Sequence, residues 1–283
     1  MRRPVSDSSP EARPRAGLRG SGPEARSERR QAPAGGDAPP VRRHGLARVL
    51  SKRGLCSRTE AARWIVAGRV SVDGRVVRDP EHPVVDDGRA RIEIAGVAPA
   101  PGPSPRRYLM LNKPRGLVTT AADEQGRDTV YRCLEGAALP WLAPVGRLDK
   151  ASEGLLLFCN DPGWASAITD PATGPDKTYH VQVDTIPDQV LLQALVAGTA
   201  VDGQHLSASA VRLLRAGNRN AWLEVVLDEG RNRQIRRLLA AFGINVLRLV
   251  RVAVGTVELG ALAKGAWREL SPEEVRALAP PSA

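Results

Sequence analysis

The run "GRLDKASEGLLLFCND", residues 146–161, restricts the possible folds more than any other stretch of the chain. Leu155, Leu156, Leu157 and Phe158 leave no polar position on either side of an extended segment. Such a strand needs cover on both faces, so it belongs inside a sheet with other structure packed above and below it. Asp149 stands at the mouth of this strand, between Arg147 and the apolar run. Taking a carboxylate out of water there costs several kcal/mol unless a cation or a row of donors meets it. The partner has to come from elsewhere in the chain.

A candidate lies in "EGRNRQIRRLLAAFG", residues 229–243. Ile235, Leu238, Leu239 and Phe242 recur at i, i+3, i+4 and i+7, which predicts a helix and fixes its buried face. Arg233, Arg236 and Arg237 line another face of that helix. One of these guanidiniums can pair with Asp149 through the fork geometry that suits carboxylates. A solvated cationic face is the alternative, and spacing alone leaves both open. In "KTYHV", Lys177 and Tyr179 are two apart on an expected strand and so point the same way. A tyrosine there can pack against the wall of a cleft or lie against a planar base.

Around these segments the chain divides by composition. Residues 1–43, rich in Pro, Gly, Arg and Ala, have no apolar period and are expected to be a disordered basic tail. Residues 44–97 form a compact unit. Leu46, Val49 and Leu50 predict a short helix ended by Gly54, and "SRTE" at 57–60 is a capping box opening a second, with Ala62, Ile65 and Val66 as its apolar stripe. Asp73-Gly74 between valine-rich runs predicts a hairpin. Residues 98–106 read as a proline-stiffened linker, and residues 107–279 as a larger domain. Its strands follow one another without regular strand–helix alternation. The fold class is therefore α+β, with a mixed, mainly antiparallel sheet, helices packed on it and a central cleft.

Charge is distributed unevenly over this plan. The net +10 comprises +5 in residues 1–43, +6 in residues 44–78 and −1 over the remainder. A polyanion is expected to meet the first third of the chain, while the larger domain depends on a few placed arginines. Three cysteines without paired spacing and four scattered histidines propose neither a disulfide framework nor a metal site. With no apolar stretch of membrane-spanning length and no apolar leader, the expected location is the cytoplasm, as a monomer without a membrane partner.

The pattern "LARVLSKRGLCSR…A…I..GRV.V.G..V" resembles the alpha-L RNA-binding domain of a small-ribosomal-subunit protein. That resemblance implies docking of Arg48, Arg58, Arg63 and Arg69 on structured RNA by shape and phosphate contact. Further along, "NKPRG" (112–116), "GRLDKASEGLLLFCND", "KTYHV" (177–181) and "EGRNRQIRRL" with "LRLVRVAVG" (229–255) resemble the ribosomal pseudouridine synthases, in the group joined to an alpha-L domain. The resemblance implies isomerisation of uridine in ribosomal RNA or a pre-ribosomal particle, with the large subunit favoured over the small, and no cofactor. It makes Asp149 the catalytic acid, Arg236 its paired cation and Tyr179 the residue that stacks on the uracil. Arg147 fills the gap left by the extruded nucleotide, and Lys177 and Arg233 contact RNA. Ser152 and Cys159 each stand where threonine is common in that family, Pro162 where glycine is, and Asp170 where histidine is.

Two other classes remain as rivals. A glycoside hydrolase also breaks a bond at an anomeric carbon, using paired carboxylates, and Glu153 is the acid nearest Asp149 in sequence. A non-catalytic ribosome-assembly factor would bind the same RNA but would have no need of Asp149, Tyr179 and Arg236 together.

Overall fold

The structure is a computed structural model that describes residues 43–85, 89–96 and 105–279. The tail assigned to residues 1–43 and the linker at 98–106 lie almost wholly outside the described residues. The first module consists of β1 (Arg43–Gly45), α1 (Leu46–Lys52), α2 (Arg58–Val66), β2 (Val70–Val72), β3 (Arg75–Val77), β4 (Pro83–Val85) and β5 (Ile92–Ile94). Leu46, Val49 and Leu50 of α1 close on Ala61 and Ile65 of α2 and on Val70 to make a small core. The predicted β2–β3 hairpin turns at Asp73 and Gly74, with φ of 50° and 78°. Positive φ at both central residues gives the twist that a two-residue hairpin needs.

Two details differ from the sequence reading. The stripe of α2 runs through Ala61 and Ile65, one turn apart, and leaves Val66 59% exposed. Of the capping box only the Ser57 half forms, its hydroxyl accepting from Glu60 N at 3.1 Å. The short strands β1, β4 and β5 were not foreseen. Each has three residues and is specified by its partner, β5 extending the hairpin through Val70↔Ile94 and β1 pairing β4.

The larger domain continues with β6 (Tyr108–Lys113), β7 (Ala143–Val145), β8 (Glu153–Cys159), α3 (Pro162–Thr169), β9 (Lys177–Val183), α4 (Gln189–Ala197), β10 (Thr199–Val201), β11 (Gln204–Leu206), β12 (Ala210–Ala216), β13 (Ala221–Leu227), α5 (Gln234–Ala241), β14 (Val246–Val254), β15 (Val257–Glu258), β16 (Trp267–Glu269) and α6 (Pro272–Leu278). Nine of these strands form one sheet in the order β12-β13-β9-β14-β8-β6-β16, with β7 beside β8 and β15 beside β14. Among the described residues every pairing in it is antiparallel except β8 with β14. The mixed, mainly antiparallel sheet expected from the strand sequence is the one observed.

The apolar run of β8 has its explanation in two cores. Leu156 and Phe158 face a cluster that includes Leu192 and Leu195 of α4 and Ile235, Leu238 and Leu239 of α5. Leu155, Leu157 and Cys159 face the opposite cluster, with Trp164 and Ile168 of α3 and Val275 and Leu278 of α6. Each fully buried leucine contributes roughly 1.5–3 kcal/mol, so an alternating strand could not take this place. The sequence reading assigned no helix to Pro162–Thr169, and noted Pro162 only as a departure from glycine. Here it occupies the first turn, where its missing N–H costs nothing, and Asp161 accepts from Gly163 N (3.1 Å) and Trp164 N (3.2 Å).

The two halves of the sheet join along the parallel pair, which covers only Val250↔Glu153 and Arg251↔Gly154. Gly154 has φ 101°, and a Cβ there would lie 2.2 Å from the Arg251 carbonyl oxygen. Gly154→Ala is expected to lower the free energy of unfolding by about 3 kcal/mol or more, combining backbone strain with a clash against main chain. Urea denaturation measures this, and a loss below about 1 kcal/mol would show that the strands can separate at small cost.

Candidate active site

The loop between β7 and β8 carries Asp149, and main-chain carbonyls hold it in place. Leu148 is buried at the loop's centre. Its carbonyl accepts from Thr119 Oγ1 at 2.7 Å, and its N–H donates back to the same oxygen at 3.3 Å. Gly116 N donates to Lys150 O at 2.7 Å. Lys113, at the end of β6, is completely buried, and its Nζ donates to Asp149 O (3.2 Å), Ser152 O (2.9 Å) and Pro114 O (3.1 Å). Burial pushes this ammonium down from 10.5 to about 8, against the pull of Asp149 and Glu153. The segment "NKPRG" therefore anchors the loop that presents the acid. A lysine ending an apolar strand just before proline was the available signal, and sequence reasoning gave it no role.

Asp149 opens onto a cleft of about 490 Å³ lined also by Arg147, Ser152, Lys177, Tyr179, Arg231, Arg233, Arg236 and Arg251. Its side chain is 35% exposed, and Arg233 Nη1 approaches Oδ2 at 3.4 Å. The pairing expected with Arg236 is not the one observed. Arg233 caps α5 from the left-handed region, with φ 50°, which brings its side chain back over the loop. Arg236, one turn further on, reaches past the carboxylate to Ala151 O (3.3 Å) and Val246 O (3.4 Å). Burial, then Arg233, holds the Arg236 guanidinium below its ordinary value, with Asp149 opposing. Arg237 leaves the cleft altogether and pairs with Asp202 at 3.0 Å. The cationic face that spacing suggested is thus divided among three destinations.

The helix start is locked from within. Gln234 is buried, accepts from Arg231 N (3.1 Å), and donates to Glu229 Oε1 (2.7 Å) and Ser207 O (3.0 Å). On the cleft floor Tyr179 and Lys177 share one face of β9, as the two-residue spacing predicted, and both line the cleft. Arg251 stands directly opposite Tyr179 on β14. Sequence reasoning quoted "LRLVRVAVG" without singling out this residue.

Glu153 is buried and committed. Arg248 holds it at 2.7 and 2.9 Å, and Lys264 at 2.6 Å. Burial alone would raise its carboxyl, yet these cations hold it below the usual range. In the first module Arg48, Arg58, Arg63 and Arg69 are all exposed, and Arg69 also donates to Ala95 O at 2.9 Å and lies over the Trp64 ring at 5.5 Å. None of these four lines the cleft. Arg147 is exposed at its mouth. Asp170 also lines it, with Oδ1 accepting from Ala172 N (2.8 Å) and Thr173 N (3.3 Å).

Residues 107–241 match the family described as RNA pseudouridylate synthase, and residues 45–87 match the S4 domain. An uncharacterized RNA pseudouridine synthase of Rickettsia prowazekii is 37% identical over 226 residues, covering 80% of this chain and 94% of the relative. The ribosomal large subunit pseudouridine synthase B of Bacillus subtilis is 34% identical over 235 residues, covering 82% of this chain and 94% of the relative. A crystal structure of a pseudouridylate synthase superposes with a TM-score of 0.57 at 25% identity, covering 83% of this chain and 99% of that one.

The Lys113 anchor has a pH signature. Above about 8 the folded chain has released the proton, while the unfolded chain keeps it up to about 10.5. The unfolded state then binds more protons, so this group's contribution to stability grows with pH between those values. The stability of the wild type relative to Lys113→Met is expected to rise between pH 7 and pH 10, as measured by urea denaturation. A pH-independent difference would contradict the buried ammonium. Turnover of the variant should fall at least about tenfold, because the acid's loop loses its anchor.

Proposed function

Because the chain belongs to the RNA pseudouridylate synthase family, we propose that it converts a uridine of ribosomal RNA, in the large subunit, to pseudouridine. One observation carries the catalytic part of this reading. A partly exposed carboxylate, Asp149, stands at the mouth of a nucleotide-sized cleft whose floor holds the buried ring of Tyr179. The choice of large-subunit RNA is supported by the name of the Bacillus subtilis relative.

In this reading the target nucleotide leaves its stack and enters the cleft, since chemistry at the glycosidic bond cannot proceed inside a helix. Arg147, exposed at the mouth, takes the vacated space in the RNA. The uracil lies on Tyr179. Asp149 either attacks C1′ as a nucleophile or takes a proton beside the breaking bond. Arg233 meets the carboxylate at 3.4 Å, and Arg236 holds the loop through Ala151 O. Arg48, Arg58 and Arg63 place the S4 domain on structured RNA by phosphate contact, which sets position more than sequence. The glycoside-hydrolase alternative needs a second available carboxylate. Glu153 is held ionised by two cations and is unsuited to act as a general acid.

Carbodiimide mapping of rRNA tests the assignment, because pseudouridine keeps its tag where uridine loses it. Cells lacking the gene should lose a large-subunit mark that the wild-type gene restores and Asp149→Asn does not. RNA affinity of that variant should stay within about twofold, the carboxylate serving chemistry and not docking. A mark restored by Asp149→Asn would remove the mechanism. Replacing Arg48, Arg58 and Arg63 together by Gln should reduce the slope of log affinity against log salt by about 2–3. An unchanged slope in filter binding would place the RNA on another surface.

A further inference from the structure

The floor of the cleft holds two cations that the reaction described above does not use. Arg251 is only 6% exposed. One of its N–H groups, Nε, donates to Leu155 O at 2.7 Å, and the side chain lines the cleft. Lys177 is half-buried beside it. Among the described residues neither forms an ion pair with a carboxylate within 4.0 Å. Burial, followed by repulsion from Arg251, holds the Lys177 ammonium below its ordinary value, against the pull of Asp176 and Asp228. Two like charges on an enclosed floor are unfavourable unless something negative meets them there.

Depth decides what that is. Arg251 is the cross-strand neighbour of Tyr179, and Lys177 lies two residues from it on the same face of β9. The pair therefore sits at the level of a base stacked on Tyr179. The backbone phosphates stay nearer the mouth, where Arg147, Arg231 and Arg233 are exposed. At the depth of the base the only acceptors a uridine offers are O2 and O4.

We propose that Lys177 and Arg251 form the seat for the uracil carbonyl oxygens and for the negative charge the base carries while detached. This rests on the synthase reading and names what the floor of that same site does. When C1′–N1 breaks, its electron pair leaves with the base and spreads from N1 onto O2 and O4. The ribose deficit is met by an Asp149 oxygen bonding C1′, or by a C2′ proton passing to Asp149. Base C5 then bonds C1′, Asp149 returns to its starting state, C5 loses its proton and N1 gains one. No other reactant is needed. Fixed cations on the cleft floor favour the charged base over the neutral nucleotide, so their effect falls on the bond-breaking step.

The test compares Lys177→Met with the wild type in single-turnover reactions on two RNAs, one carrying uridine and one 5-fluorouridine at the target. Among the described residues the Lys177 side chain forms no hydrogen bond, so its replacement leaves the fold intact, which thermal melting checks. Fluorine withdraws electrons and stabilises the departing base by itself. It also blocks the final loss of the C5 proton, so the readout is disappearance of the parent nucleoside after digestion. On uridine RNA the variant should be slower by about a hundredfold or more, with RNA affinity within about twofold. On 5-fluorouridine RNA the defect should shrink to about tenfold or less. Arg251→Gln should behave alike wherever it folds. An unchanged rate, or an equal defect on both RNAs, overturns the seat. A wild type that converts neither RNA would overturn the synthase reading and the seat with it, and is distinguished by the absence of any activity to compare.

Discussion

The close approach of two backbones at Gly154 and Arg251 is the constraint on which the rest of the larger domain depends. A Cβ at Gly154 would stand 2.2 Å from the Arg251 carbonyl oxygen, so β8 and β14 can meet here only through glycine. The contact is short, two residue pairs long, and among the described residues it is the one parallel junction in the sheet. On one side of it stand β8, β6 and β16, and on the other β14, β9, β13 and β12. The loop bearing Asp149 enters β8 directly before this seam. Tyr179 and Arg251 lie just across it. Joining the two halves therefore brings the acid and the cleft floor together.

Electrostatics then divides the labour. Two buried charges of the larger domain are given several acceptors or close partners. Lys113 meets three carbonyls, and Glu153 meets Arg248 and Lys264. Asp149 is treated differently, with one long contact to Arg233 and a third of its surface open. A carboxylate locked by short bidentate bonds would be stable but poorly placed to exchange partners with a substrate. The loop's rigidity comes from bonds to its main chain, which leaves the side chain free to react. The S4 domain, carrying much of the positive charge, contributes none of its candidate arginines to the cleft.

Much of this was legible in the residues. The unbroken run 155–158 required a strand covered on both faces, and two cores supply the cover. The 3-4 spacing from Ile235 to Phe242 placed α5, and Asp73-Gly74 placed the hairpin. Other features were out of reach because they depend on tertiary contacts. Arg233, Arg236 and Arg237 look equivalent by spacing, yet the left-handed backbone at Arg233 and the acceptors at Ala151 and Asp202 send them three ways. Lys113 and Arg251 gave no periodic signal, being single cations at the ends or faces of apolar strands. Val66 was assigned to a buried stripe because neighbouring apolar residues cannot be ranked without knowing what packs against them.

The most direct measurement of the central claim is a crystal structure of the chain bound to a ribosomal RNA fragment carrying 5-fluorouridine at its target. The account predicts an extruded nucleotide with its base on Tyr179 and an Asp149 oxygen within about 3.5 Å of ribose C1′ or C2′. A nucleotide bound away from the cleft, or a ribose turned from Asp149 in an otherwise ordered complex, would contradict it.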